Sequence, residues 1–563
     1  MSAFLLLLPL TLLAAAPPAA DLALVNGRFW TADPGQPWAE AVAIREGRFT
    51  YVGPAAGRPA AKRVVDLGGR LAVPGFNDSH VHLMSGSLSL ERVDLIEDQS
   101  VEAVQARIRA FAARNAGAPW VLGRGWLYGS FPGGLPTREQ LDAVVSDRPA
   151  YMECYDGHSG WANSRALALA GITKETKDPP NGHIVRDPRT GEPTGALKES
   201  ARGLVEAKIP APDVERRYAL YLQAMRLLNS QGITSVQDAG YGVDEIAAEM
   251  PLWERALRED AQTVRLVASV SMTAADYPRA VAEAQRLRAR ERAPLLRFGT
   301  VKAYVDGVVE AHTAAMIAPY DDASFGHGLP NWEKAALTRA VTAADEAGLQ
   351  VYLHAIGDGA VRMALDAHEA ALKANGRADR RGRIEHIETI HPADYARFAP
   401  LGVIASMQPL HANPDQNLMN VWRRNAGEER AARGFSWRSV EKAGARLVFG
   451  SDWPVVTSDV MRGLYCATAR KTRQGQPAGA WLPEQAVGLE SALRHYTADA
   501  AFASFEEKEK GTLAVGQLAD VAVLSRDIFG APPEAILETR VDLTLLGGRV
   551  VHRAGDFPGL DAE

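Results

Sequence analysis

Val73-Pro-Gly-Phe-Asn-Asp-Ser-His80-Val-His82-Leu83 is the stretch on which the reading of the chain turns. An apolar run passes a Pro-Gly pair and ends on two histidines spaced i, i+2. Successive strand residues point to opposite faces, so His80 and His82 share one face. Two imidazoles side by side at a strand end are a ready pair of metal ligands. The pair alone is a weak signal, and its weight depends on further ligands arriving from other strand ends.

The middle of the chain alternates strand and helix patterns. After the His80 strand, strands are expected at 233–238, 264–270, 299–306, 350–354, 383–387, 402–408 and 446–452. Helical patterns lie between most of them, at 243–258, 278–292, 332–347 and 359–374. Eight strands separated by crossovers predict an α/β fold, a parallel (β/α)8 TIM barrel. Several strands end on a chemically active residue: His82, Asp238, Asp306, His354, His386 and Asp452. Barrel sites sit at the C-terminal ends of the strands. The candidate metal ligands are therefore His80, His82, Lys302, His354, His386 and Asp452. Imidazole and carboxylate donors suit a divalent ion such as zinc.

The flanks have a different texture. Residues 21–72 and the stretches 519–524 and 541–551 are short strand-like segments broken by glycine. The expectation is a β-sandwich assembled from both chain ends, 21–75 and 508–557, around a barrel at 76–507. Roughly residues 85–230 are too many for one βα connection. They predict a large insertion after barrel strand 1, over the mouth, with helices at 101–115 and 214–230. It also carries the run Asp156-Gly-His158-Ser-Gly-Trp161-Ala-Asn163-Ser.

The 563 residues fit one large barrel with additions, and 47% hydrophobic with 23% charged residues is ordinary for a globular chain. A formal net charge of −6 argues against a general nucleic-acid or anionic-membrane binder. Phe4–Leu13 is an apolar run followed by small residues, too short to span a bilayer. It reads as a signal peptide over residues 1–20, cut after Ala16 or Ala20, although its start carries no Lys or Arg. Export to the periplasm or medium follows as an expectation. The two cysteines, Cys154 and Cys466, exclude a disulfide framework and a cysteine-based zinc site, and read as buried thiols.

Taken together, these motifs resemble the amidohydrolase superfamily, in its amidohydrolase-3 branch of N-substituted formamide deformylase-like enzymes. The matching stretches are Pro74–Leu83, Asp156-Gly-His158-x-x-Trp161-x-Asn163-Ser, Lys302-x-x-x-Asp306-Gly, Leu353-His354-Ala-Ile-Gly-Asp358, Ile384-Glu-His386-Ile-Glu and Gly450-Ser-Asp452-Trp-Pro454. The resemblance implies one or two divalent metals, zinc foremost, and hydrolysis of a C–N bond. It implies that His80, His82 and Asp452 bind the more buried ion and that His354 and His386 bind the more exposed one. A CO2-derived carbamate on Lys302 would bridge the two if the centre is binuclear. Asp452 would take the proton of the attacking water and pass it to the departing amine.

His158 is a candidate for polarising the substrate carbonyl, against a turn-capping role with Asn163. Trp161, Asn163, His411 and Trp453 are candidates for substrate contact. Trp126, Tyr128, Trp161, Trp422 and Trp453 are expected near the mouth, most as anchors of the insertion and some as an apolar pocket lining. Arg423 and Arg424 could meet a carboxylate. The expected partner is a small-molecule substrate, with a homodimer as the candidate assembly and neither nucleic acid nor a membrane span involved. A deaminase or cyclic-amide hydrolase on the same metals, and a silent ligand-binding member, are the competing functions. Specificity lives in loops, so the natural substrate is not legible.

Overall fold

The computed structural model describes residues 19–555 and 557, except 99, 156, 158, 181, 322–324 and 377. The leader through residue 18 lies outside them, as does His158. Ala20 opens the first described strand, Ala20–Val25.

The central sheet has eight parallel strands in chain order. They are β1 (Phe76–Val81), β2 (Ile233–Tyr241), β3 (Arg265–Ser271), β4 (Leu296–Tyr304), β5 (Gln350–Ala355), β6 (Arg383–His386), β7 (Ile404–Met407) and β8 (Leu447–Phe449). Just beyond β8 the ring closes onto β1. Asp452 N donates to His80 O at 2.7 Å, and His82 N donates to Trp453 O at 2.8 Å. Parallel strands need crossovers that cover the sheet, which is why β5 is buried along its whole length. Helix Val243–Arg258 shows the matching pattern. Ile246, Met250 and Trp253, spaced i, i+4, i+7, are buried against the barrel. The chain is thus a TIM barrel.

The two ends of the chain meet in one six-stranded sheet. Leu71–Pro74, the strand that leads into β1, pairs antiparallel with Val521–Leu524 near the other end. A four-stranded sheet of Ala20–Val25, Ala41–Arg45, Arg48–Gly53 and Ala61–Asp66 shares its apolar cluster, with Leu24, Ile44 and Phe49 against Val521 and Leu543. The buried Arg265–Asp520 pair, two bonds of 2.8 Å, ties these sheets to β3.

The insertion departs from the sequence reading in two ways. It is built on its own six-stranded mixed sheet with a separate apolar cluster on each side, one holding Trp126, Met152 and Trp161 and the other Trp120, Tyr151 and Leu197. It also ends earlier than residue 230. Helix Val214–Ser230 buries Tyr221, Met225 and Leu228 in the barrel core beside Phe76 and Ile233. It is the crossover from β1 to β2. Cys154 is buried in the insertion core, and Cys466 is buried in helix Val460–Ala469 with its Sγ donating to Pro409 O at 3.0 Å.

Candidate metal centre

The six expected ligands gather at the C-terminal mouth of the barrel. His80 belongs to β1, His82 follows it, and Lys302, His354 and His386 lie in β4, β5 and β6. Asp452 sits in the turn after β8. The ligand atoms of His80, His386 and Asp452 lie within 4.8 Å of one another. Asp452 Oδ1 is 3.4 Å from His80 Nε2 and 3.3 Å from His82 Nε2. Ring centroids are 4.9 Å apart for His80–His386 and 4.5 Å for His354–His386. Lys302 Nζ lies 4.7 Å from the Tyr304 ring centre.

The backbone is bent to achieve this. Arg383 and Glu385 face the barrel axis, so strict alternation along β6 would turn His386 outward. His386 instead adopts a left-handed φ of 75°, and Asp452 one of 62°. Such conformations cost about 1–3 kcal/mol in a non-glycine residue and cluster at functional sites.

His80 Nε2, Lys302 Nζ and Asp452 Oδ1 are buried without a hydrogen bond. Unpaired buried polar atoms are expensive, and here they are two neutralisable bases and a carboxylate aimed at a common region. That donor set fits a divalent ion. The outer nitrogens are fixed instead. His80 Nδ1 is 2.6 Å from Glu385 Oε2, and His386 Nδ1 is 2.9 Å from Gln408 Oε1. Both contacts leave Nε2 as the lone-pair atom facing the centre, the arrangement in which a partner orients a ligating imidazole. Glu385 is itself held by Arg383, whose Nε donates to Oε1 at 2.8 Å and whose guanidinium also reaches Ser79 O, Gln237 and Ser406.

The electrostatics agree. Burial, reinforced by the Lys302 charge, pushes the His80 imidazole down to about 4, and burial with His354 and His80 nearby takes His386 well below its usual range. Both are neutral at pH 7, the form that binds metal. Burial pushes the Lys302 amine down to about 8. For Asp452, burial works upward, but His80, His82 and His386 outweigh it and hold the carboxyl well below the ordinary carboxylate range.

A cavity of about 290 Å³ opens over the cluster. His82, His354, His386, His411 and Asp452 line it, with Leu127, Val308, Ile356, Leu418 and Trp422 among its walls. His411, a candidate for substrate contact, is thus among the residues that line the cavity. Its Nε2 is 3.4 Å from Asp452 Oδ2, its Nδ1 is 3.6 Å from Glu388 Oε1, and its ring is parallel to that of His386.

Three other expected substrate contacts are corrected. Trp161 is fully buried in the insertion core, packed on Phe131, and donates Nε1–H to Thr137 O at 2.7 Å. Asn163 caps helix Ser164–Ala170 through Ala166 N and also bonds Ala150 N, Val145 O and Arg148 O. Its polar atoms are committed to holding a turn. Trp453 packs on Gly86, where an added Cβ would come within 2.2 Å of its ring, and it does not line the cavity. Arg423 pairs with Glu428 and Arg424 with Asn425, so neither guanidinium reaches the pocket. Asn163→Ala is expected to lower stability by about 1–3 kcal/mol with KM unchanged. Denaturant melts beside steady-state kinetics check this, and a raised KM with unaltered stability would restore the substrate role.

Sequence reasoning missed Glu385, Arg383, Gln408 and Glu388. The available signal was the Arg383-x-Glu385 spacing, an opposite-charge pair on one face of a strand expected to be buried.

A TIM barrel with clustered histidines and an aspartate at its mouth defines a metal-dependent hydrolase class. The chain belongs to the Amidohydrolase family, whose signature it matches over residues 63–552. It is 33% identical over 559 residues to Protein LONG AFTER FAR-RED 3 of Arabidopsis thaliana, covering 96% of this chain and 94% of that one. It is 29% identical to the N-substituted formamide deformylase of Arthrobacter pascens, over 94% of this chain and 97% of that one. Among solved structures, an uncharacterized metal-dependent hydrolase from Pyrococcus horikoshii OT3 superposes with a TM-score of 0.70 at 26% identity, covering 91% of this chain and 99% of that one. Among the described residues no helix is long and apolar enough to cross a membrane.

Proposed function

We propose that the protein hydrolyses an amide-type C–N bond of a small molecule, with His80, His82, His354, His386 and Asp452 holding one or two divalent ions, zinc by donor chemistry. The observation that carries this is the set of buried atoms without hydrogen bonds, His80 Nε2, Lys302 Nζ and Asp452 Oδ1, of which Asp452 also lines the cavity. When bound, the ion supplies Lewis acidity, lowering the pKa of water toward about 7 and polarising the carbonyl. Asp452 accepts the proton of the attacking water and returns it to the departing nitrogen. One water is consumed, and a carboxylate and an amine are released. Glu385 and Gln408 keep the His80 and His386 rings in register for this arrangement. The apolar walls displace bulk water from the scissile bond.

Chelator-stripped protein is expected to lose turnover and regain it with zinc. Across a panel of amides, cyclic amides and esters the product is expected to be a carboxylate with a primary or substituted amine. Release of ammonia from amino-substituted rings would instead support a deaminase.

Lys302 is proposed to carry a carbamate. Only the neutral amine attacks CO2, and with its pKa lowered to about 8 the neutral share of Lys302 grows as pH rises toward that value. Reactivation of stripped protein by zinc should therefore quicken with added bicarbonate and with pH up to about 8. A rate indifferent to bicarbonate contradicts the carbamate. Export is proposed on the leader's pattern, and N-terminal sequencing of secreted protein checks it.

A further inference from the structure

Tyr304 is the last residue of β4, and the chemistry assigned to the metal centre makes no use of it. Strand residues alternate faces, so Tyr304 shares the barrel-facing side with Lys302. It lines the cavity and is 39% exposed, whereas Lys302 is fully buried. The parallel register pairs Tyr304 with His354, and the two rings lie 5.3 Å apart. With Lys302 Nζ 4.7 Å from its centre, the Tyr304 ring is seated against two of the expected ligands.

The strand end that carries it is held on both sides. Val305 N donates to His354 O at 2.9 Å. Asp306 accepts from the backbone N–H groups of Ala315 and Gly357 at 2.9 Å and of Ile356 at 3.1 Å. A donor fixed before the substrate arrives needs no reorganisation when charge develops beside it. Other polar side chains around the cavity already have partners. Trp422 Nε1–H is taken by Glu388, Asn413 Nδ2–H by Asp415 and Asn417 Nδ2–H by Glu310, while His411 lies between Asp452 and Glu388. Among the described residues, none makes a hydrogen bond with the Tyr304 hydroxyl. A phenol both gives and takes a hydrogen bond.

We propose that Tyr304 is a catalytic residue, its O–H donating a hydrogen bond to the carbonyl oxygen of the scissile amide as that oxygen becomes an oxyanion. This rests on the amide-hydrolase reading. As the oxygen of water bonds to the carbonyl carbon, the C=O π pair moves onto the carbonyl oxygen. The Tyr304 proton stays on tyrosine, and its hydrogen bond to that oxygen strengthens. When the pair returns, the C–N bond breaks and the nitrogen takes the proton held by Asp452. The competing role is packing, with the ring orienting His354. Tyr304→Phe separates the two, because it keeps the ring and removes only the oxygen.

The test uses the full-length zinc-loaded protein, a panel of N-acyl alkylamines, and pentylphosphonate, whose tetrahedral oxygens mimic the attacked carbonyl. Tyr304→Phe is expected to lower kcat by about 10²-fold or more, with KM, zinc content and melting temperature close to the parent's. Calorimetry should show pentylphosphonate binding weakened about tenfold or more in the same variant. That binding arm needs no turnover. If the parent cuts no amide yet Tyr304→Phe loses phosphonate affinity in this way, the hydrolase reading fails and the oxyanion contact stands. If amides are cut and Tyr304→Phe keeps the parent's kcat, raises KM alone, or loses turnover only in step with zinc, the inference is overturned and the hydrolase reading survives. A phosphonate affinity unaltered in Tyr304→Phe, or no phosphonate binding to the parent, overturns it as well.

Discussion

Asp452→Asn is expected to lower kcat by about 10³-fold or more, measured at saturating zinc. The substitution is nearly isosteric, and the backbone bond from residue 452 to His80 O at 2.7 Å is untouched, so the ring closure of the barrel persists. What disappears is the negative charge of a carboxyl held well below the ordinary carboxylate range, whose Oδ1 lies 3.4 Å from His80 Nε2 and 3.3 Å from His82 Nε2. An amide in its place cannot accept the proton of the attacking water, and it is a weaker donor to a divalent ion. Circular dichroism and a melting curve should match the parent. Full turnover in this variant would remove Asp452 from the chemistry.

Glu385→Ala is expected to have the largest effect on stability. Arg383 and Glu385 are both fully buried, and their guanidinium–carboxylate contact sits inside the barrel beneath His80. For Glu385, burial works upward, but Arg383 and His80 hold it ionised. Removing it leaves the Arg383 charge uncompensated in the interior, a change worth about 3–5 kcal/mol. His80 also loses the acceptor that fixes its Nδ1–H, which should weaken metal binding by about 10–100-fold. Urea denaturation and a zinc titration measure the two effects separately. A double variant, Arg383→Met with Glu385→Leu, removes both charges together and should recover much of the stability but not the metal affinity. Recovery of both would mean that Glu385 serves packing alone.

The barrel was legible because strand patterns alternate with helical ones along the chain, and several strands end at or just before a residue, such as His82, Asp238, His354, His386 or Asp452, that is costly to bury unless it binds something. The ligand set followed from that order. His386 shows the limit of period-two reasoning: it reaches the centre through a positive φ, which a strand pattern does not encode. The insertion was harder. Strands such as Ala150–Cys154 and Ser159–Ala162 are four or five residues long and bury both faces, so they show no alternation. Trp161 and Asn163 belong to a motif that resembles a binding loop, yet their partners are backbone atoms of Thr137, Val145 and Arg148, up to 24 residues away in sequence. Glu385 was passed over for the converse reason. Its partner His80 is 305 residues distant, and only the closed ring brings the two together.

The most direct test of the metal centre is elemental analysis of protein purified without added metal, beside His80→Ala and Asp452→Asn prepared in the same way. One or two equivalents of a divalent ion, zinc foremost, are expected in the parent, with a loss in both variants that parallels the loss of turnover. A parent that turns over amides with no stoichiometric divalent metal, or variants that retain the parent's full content, would contradict the assignment.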